Sequence, residues 1–571
     1  MGEQPVAAAL TRLRAALADV RLPVPLPGRD DTAALVRAHV AQLDDYILPR
    51  LAREDAPLLA VISGSTGAGK STLVNSLVGR VVSAAGVIRP TTLAPVLVHN
   101  PRDGAWFASD SILPSMARSP IPVPDARTLQ LVPDDAVPDD LAFLDAPDVD
   151  SVVAQNRALA AQLMAAADLW LFVTTAARYA DAVPWGFLKD ACDRRAVVAV
   201  VLDRVPVAAL DEVPQDLRAM MDERGLAASK LFVIPEIELE ADGLLPAYAT
   251  DEFRAWLAAL AQDAAARSRV VAQTLGGAID ALIRGMPVVI SAVRDQVACL
   301  DRLRDDAESV YRDAVCTVDE QTANGVLMRG EVLARWQDFV GTGDFFRAVE
   351  QRVGWLRDRL TGLLHGEPAQ VGEVKVAVET GLEVLINEAG ESAARRVAGA
   401  WEQDPAGREL LRQAPERLDR ASASFRERAT QAIRTWQSDV LGLVTERGAA
   451  KRTQARVLAL GVNAVGVALM ILVFSQTGGL LGAEIGVAGG TAVLAQRLLE
   501  AVFGEEAVRQ LAKQAKRDLD ARVEGLLSQE LARYLDLLAA VDVRPEDQLV
   551  AAVAEVETAR FGSDIEEDAD A

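Results

Sequence analysis

Nine consecutive residues, Gly64-Ser65-Thr66-Gly67-Ala68-Gly69-Lys70-Ser71-Thr72, follow directly on the apolar run Leu58-Leu59-Ala60-Val61-Ile62. They match G-x-x-x-x-G-K-[ST] in full, and an apolar run of this length that ends at a glycine-rich turn predicts a buried strand. Glycines let successive backbone N–H groups curl around a polyphosphate where a Cβ would obstruct them. Lys70 is spaced to reach β- and γ-phosphates, and the Ser71 hydroxyl to ligate Mg²⁺. A helix opening at Ser71 adds its positive dipole end. The expectation is a nucleoside triphosphate held by a strand–loop–helix unit, with Gly64 to Thr72 as its phosphate cradle.

Around this unit, short apolar runs at 57–63, 95–99, 140–145, 168–173, 196–202 and 230–234 alternate with helix-periodic segments. That alternation predicts an α/β P-loop domain over 56–250, a mostly parallel sheet with helices on both faces. The segment 112–138 carries six prolines and reads as an irregular insertion. Before the domain, helical spacing of Leu10, Leu13 and Leu17, then of Leu35, Val36, Val40, Leu43 and Ile47, predicts helices over 1–55 packing with a stalk. After it the strands stop. Residues 251–455 read as a long all-α bundle with coiled-coil-like periodicity, 501–562 as returning helices, and 563–571, with five acids, as a disordered tail.

Inside the helical half, Val457 to Ala483 form 27 consecutive residues without a charge. A helix needs about 20 apolar residues to cross a bilayer. Gly478-Gly479 breaks the run, and a second apolar stretch reaches Leu494 with Glu484 as its one acid. Basic residues flank both sides: Arg447, Lys451, Arg452 and Arg456 before, then Arg497, Arg509, Lys513, Lys516 and Arg517 after. This arrangement suits a membrane hairpin over 456–500 that returns to the face it entered from. The competing expectation is the buried central helix of a bundle, against which stands the lack of a polar stripe.

The net charge of −23 supplies no overall basic field for a nucleic acid. Cys192, Cys299 and Cys316 share no metal-like spacing and fit a reducing compartment. No basic segment with an apolar core opens the sequence, so the expected location is the cytoplasmic face of the cell membrane.

Switch chemistry follows in order. Gly86-Val87-Ile88-Arg89-Pro90-Thr91-Thr92 offers a threonine, Thr92 before Thr91, whose hydroxyl suits Mg²⁺ and whose N–H suits the γ-phosphate. Arg89 is a candidate for stabilising transition-state charge, or else a surface arginine held by a carboxylate. Leu141-Ala142-Phe143-Leu144-Asp145-Ala146-Pro147-Asp148 ends a strand in Asp145, a second Mg²⁺ anchor acting through water. The predicted metal set is Ser71, Thr92 and Asp145, with Lys70 and Thr92 in the catalytic roles.

On Gly64–Thr72, Arg89-Pro90-Thr91-Thr92 and Leu144-Asp145-Ala146-Pro147-Asp148, the chain resembles the dynamin-like large GTPases, particularly membrane-associated bacterial members from actinobacteria. The order of helices, nucleotide domain, stalk and apolar hairpin extends the resemblance over nearly the whole chain. It implies GTP hydrolysis with Mg²⁺, self-association or pairing with a paralogue, and remodelling of membrane lipid. The departures are specific. Thr66 and Gly67 stand where the family carries Gln and Ser, and Asp148 replaces the glycine of D-x-x-G. Asp203-Arg204-Val205-Pro206 occupies the guanine-reading position, with Pro206 in place of the base-binding carboxylate and Asp203 and Arg204 as remaining nucleotide contacts. ATP therefore stays open as a substrate. Two other readings stay open beside this one: a soluble regulatory P-loop ATPase or GTPase, and a non-hydrolysing nucleotide-binding scaffold paired with an active paralogue.

Overall fold

The computed structural model describes residues 3–53, 55–84, 94–109, 112–123, 125, 127–151, 154–323, 369–447, 462–475, 495–496, 499–500 and 502–567. Its strands are β1 (Leu58–Gly64), β2 (Val96–His99), β3 (Ala117–Ser119), β4 (Thr128–Pro133), β5 (Leu141–Asp145), β6 (Leu169–Thr175), β7 (Val197–Val205) and β8 (Lys230–Pro235). They form one sheet in the order β3-β4-β2-β5-β1-β6-β7-β8, every pairing parallel except β2 with β5.

Strands β1, β5 and β6 are buried at every residue, which is why they read as unbroken apolar runs rather than alternating ones. Successive side chains point to opposite faces. Leu58, Ala60 and Ile62 share a core with Leu73 and Leu77 of the helix Lys70–Val78 and with Phe253 and Leu257 of the helix Asp251–Gln262. Leu59 and Val61 share the other with Leu163, Leu188 and Leu217, from the helices Ala154–Ala165, Ala182–Asp193 and Glu212–Glu223.

The stretch 112–138 departs from the expected irregular insertion, because it supplies β3 and β4. Its prolines do not break the ladders: Pro120 lies just past β3, and Pro133 is the last residue of β4.

The expected boundaries at 55 and 250 are also not where the chain divides. Residues 1–22, 27–295 and 543–571 make one compact unit, and residues 23–26 with 296–542 make the other. One sheet face needs more apolar cover than the intervening helices provide. Leu10, Leu13, Leu17, Leu43 and Ile47 therefore join the same core as Val61, together with Leu282, Met286 and Val556. Within that unit, Arg12 pairs with Glu555, tying the N-terminal helix Glu3–Ala18 to the helix Asp547–Glu567. That last helix runs through Glu567, so residues 563–567 are helical and not the disordered tail expected.

The second unit is helical. Helices Ala369–Gln403, Phe425–Arg447 and Glu505–Ala539 enclose a fourth, Val462–Ser475. Trp436 Nε1 donates to the Ala515 carbonyl at 2.8 Å, and the Trp436 and Phe474 rings lie 5.8 Å apart. Gly466 lets the apolar helix close on its neighbour, since a Cβ there would lie 2.4 Å from Leu441 Cδ2. Ala464, Val465 and Val467 to Phe474 are all buried in protein. This is the bundle-core arrangement for the described part of the apolar run, which covers 14 residues. The remainder of the 456–500 hairpin, apart from 495–496 and 499–500, lies outside the described residues. Of the described helices, Ala264–Ala323 alone is long and apolar enough to cross a membrane by length and composition, and 44% of its apolar window is buried inside the protein.

Candidate functional site

Strands β5, β1, β6 and β7 run in one direction, so Asp145, Gly64, Thr175 and Asp203 reach the same edge of the sheet. In open α/β sheets, ligands lie outside these carboxyl ends. The chain leaves β1 at Gly64, turns through Ser65–Gly69 and enters the helix at Lys70. Two close approaches require glycine. At Gly64 (φ +149°) a Cβ would lie 1.9 Å from the Val173 carbonyl oxygen; at Gly69 (φ +92°) it would lie 2.4 Å from Asp203 Oδ2. The turn is closed by the Ala68 N–H donating to the Ser65 carbonyl at 3.0 Å, and the Leu73 N–H bonds back to the Gly69 carbonyl at 2.8 Å. Thr72, the third residue of the helix, accepts from Ser76 Oγ through its carbonyl at 2.7 Å.

Lys70 is buried. Its Nζ donates to the carbonyls of Gly64 and Ser65, each at 3.2 Å, and pairs with Asp148. Ser71 Oγ donates to Asp145 Oδ2 at 2.7 Å. Asp145 is fully buried, its Oδ1 has no hydrogen-bond partner, and burial raises its pKa against the opposing effect of Ser83, Ser71 and Lys70. The Ser65 hydroxyl is buried without a partner as well. An unpaired carboxylate oxygen beside a serine hydroxyl is a hard oxygen pair of the kind that would hold Mg²⁺, with Ser71 and Asp145 as the residues that would supply it. Thr92, the third expected ligand, and its neighbours Thr91 and Arg89 lie outside the described residues.

Asp203 and Arg204, near the carboxyl end of β7, lie against the same loop. Arg204, at φ +53°, donates to the Gly67 carbonyl, and its own N–H bonds Asp203 Oδ1 at 2.8 Å. Burial pushes the Asp203 carboxyl up to about 6 although Arg204 opposes it. Both residues therefore sit on the cradle itself.

Three contributors were not anticipated. Ser83 Oγ donates to Asp145 Oδ2 at 2.6 Å, held there by Asn75, whose Oδ1 accepts from the N–H groups of Val82 and Ser83 at 2.8 and 2.9 Å. Asp150 Oδ1 accepts from both the N–H and the hydroxyl of Thr66 at 2.6 Å. Arg178, just past β6, bonds the Thr66 carbonyl at 3.0 Å and pairs with Asp150 at 2.7 Å. Burial alone would raise the Asp150 carboxyl, but Thr66 and Arg178 hold it below its usual range. Only the acid spacing Asp145, Asp148, Asp150 signalled any of this in sequence.

No protein-family model matches the chain, and no curated protein does. Among solved structures it is similar to two of an oligomerised bacterial dynamin pair, described as a mechanism for long-range sensing and tethering of membranes. These share 10% identity over 97% of this chain and 95% of the other, with TM-scores of 0.38 and 0.37. It is also similar to LeoA, a bacterial dynamin GTPase from ETEC, at 11% identity over 94% of this chain and 98% of that one, with a TM-score of 0.23.

Proposed function

We propose that this chain is a dynamin-like P-loop nucleoside triphosphatase that couples nucleotide-driven self-association to binding and remodelling of a membrane. The observation that carries the proposal is the meeting of Lys70, Ser71 and Asp145 where β1 and β5 end. Phosphoryl transfer asks mainly for positioning and charge neutralisation, so a dedicated general base is not needed. Lys70 and the N–H groups of the glycine turn receive the phosphates; bound Mg²⁺ adds neutralisation of the developing charge. Thr92 is the proposed switch threonine. GTP is the substrate by resemblance. With Pro206 where a base-reading carboxylate is usual, and Asp203 and Arg204 engaged on the cradle, discrimination against ATP is weak.

The helical unit and the apolar segment 456–500 are the proposed membrane-facing machinery, acting at the cytoplasmic face of the cell membrane as a homo-oligomer or with a paralogue. Burial of residues 464–474 favours a second reading, a soluble NTPase whose apolar helix is bundle core. Turnover of GTP and ATP by the purified protein, with and without anionic vesicles and with Lys70→Ala as the blank, tests the proposal. Lipid-stimulated turnover lost in Lys70→Ala supports it. Turnover indifferent to lipid, with no flotation on vesicles, selects the soluble enzyme; no turnover at all selects a nucleotide-binding scaffold.

A further inference from the structure

Three carboxylates within six residues grip the phosphate loop from the β5 side. Asp145 holds Ser71, Asp148 holds Lys70 and Asp150 holds Thr66. Of these, Asp148 takes the group on which phosphate recognition depends. A lysine ammonium has three N–H donors. Here they serve the carbonyls of Gly64 and Ser65 and the Asp148 carboxylate, so an arriving phosphate oxygen finds Lys70 fully engaged.

The carbonyls belong to the loop and cannot leave it. Asp148 can. Its side chain is 29% exposed, against 9% for Asp150, and Asp145 is fully buried. Asp150 is also anchored three ways, by the Thr66 N–H, the Thr66 hydroxyl and Arg178. A carboxylate near the surface rehydrates at little cost, whereas releasing Asp145 would leave the buried Ser83 hydroxyl unpaired and releasing Asp150 would break three bonds at once.

We propose that Asp148 is a built-in phosphate surrogate: it occupies Lys70, latches residues 145–150 onto the cradle, and is displaced by the β/γ-phosphates of an incoming nucleotide. Asp145 and Asp150 are the fixed ends of the displaced segment. The position that usually carries a glycine thereby becomes a competitor with the ligand. The latch sets a threshold for occupancy that a single phosphate not reaching Lys70 does not cross.

Equilibrium titration with fluorescent GTP, ATP and GMP analogues in Mg²⁺ tests this on wild type, Asp148→Asn, Asp148→Gly and Lys70→Ala. Asp148→Asn and Asp148→Gly are expected to bind both triphosphates about tenfold tighter, or 1.4 kcal/mol, with GMP affinity unchanged. Hydrogen exchange in the peptide spanning 145–151 is expected to rise in wild type when triphosphate is added, and to be already high in nucleotide-free Asp148→Asn. Triphosphate affinity that is unchanged or weaker in both Asp148 variants, with unaltered melting and with binding lost in Lys70→Ala, overturns the latch. Since the latch presupposes that this loop takes phosphate, wild-type affinity in Lys70→Ala is a separate failure: it removes the nucleotide site and the latch with it.

Discussion

Gly64 and Gly69 bend the same loop but face obstacles of different stiffness. The atom opposite Gly64 is the main-chain oxygen of Val173, its register partner in β6, so making room for a Cβ means parting two central strands. The atom opposite Gly69 is the tip of the Asp203 side chain, which can rotate away, leaving chiefly the left-handed backbone penalty. Gly64→Ala is therefore expected to lower stability by about 3 kcal/mol and Gly69→Ala by about 1–2 kcal/mol, measured by urea unfolding. Equal losses would show that the sheet yields at Val173 as readily as a side chain does. The same contrast explains what was readable at this scale. The phosphate loop is written in consecutive residues because its demands are local. Ser83 and Arg178 acquire their roles only when Asn75 and the β6 terminus bring them to Asp145 and Thr66, and no spacing in the sequence encodes that meeting.

Elements buried on both faces were legible because a short apolar run bounded by turn residues suits a strand covered from both sides. β3 and β4 were not, since their prolines sit at strand ends, where they cost no ladder bond but obscure the pattern. The helix Val462–Ser475 shows the limit most clearly: a segment apolar all round satisfies a bilayer and a protein core equally, and composition cannot choose between them. Packing at element level also produces a pH effect. The helix Arg29–Gln42 presses His39 against Gly285 of the helix Ala264–Ala323, where a Cβ would lie 2.4 Å from His39 Nε2. Burial first, and then nearby Arg194, lowers the His39 pKa to about 4. An unfolded histidine takes its proton near 6.5. Between about 4 and 6.5 the unfolded chain binds more protons, so this group's contribution rises with pH across that window and is lost on acidification. The expected size is about 3 kcal/mol. Urea midpoints for wild type and His39→Leu at pH 7 and pH 4.5 check it: the variant is expected to lose the smaller share of its stability, and parallel losses would exclude His39 as the source.

At the scale of the molecule, the chain divides into a sheet-bearing unit and a helical unit, with the helix Ala264–Ala323 contributing residues to both. The expected boundaries missed this division because sequence periodicity reports that a segment is helical without reporting which core its apolar face enters. Leu282 and Val556 look like stalk residues, yet they complete the core beneath β1. With the proposed nucleotide site in one unit and the proposed lipid contact in the other, the proposed function is a statement about coupling, and coupling between binding sites is reciprocal. A non-hydrolysable triphosphate analogue that strengthens vesicle binding by some factor must itself be bound more tightly on vesicles by that same factor, typically about 5–150-fold. Both factors can be read on one preparation, the first by vesicle flotation across analogue concentrations and the second by fluorescent-analogue titration across lipid concentrations. Equal factors above one are expected for the wild type. Factors of one in both directions would leave an NTPase and a helical unit that share a chain without sharing an equilibrium. Unequal factors would mean that analogue or lipid also drives a step outside the two binding events, for which concentration-dependent self-association is the first candidate. Repeating both titrations at two protein concentrations separates that step from the coupling itself.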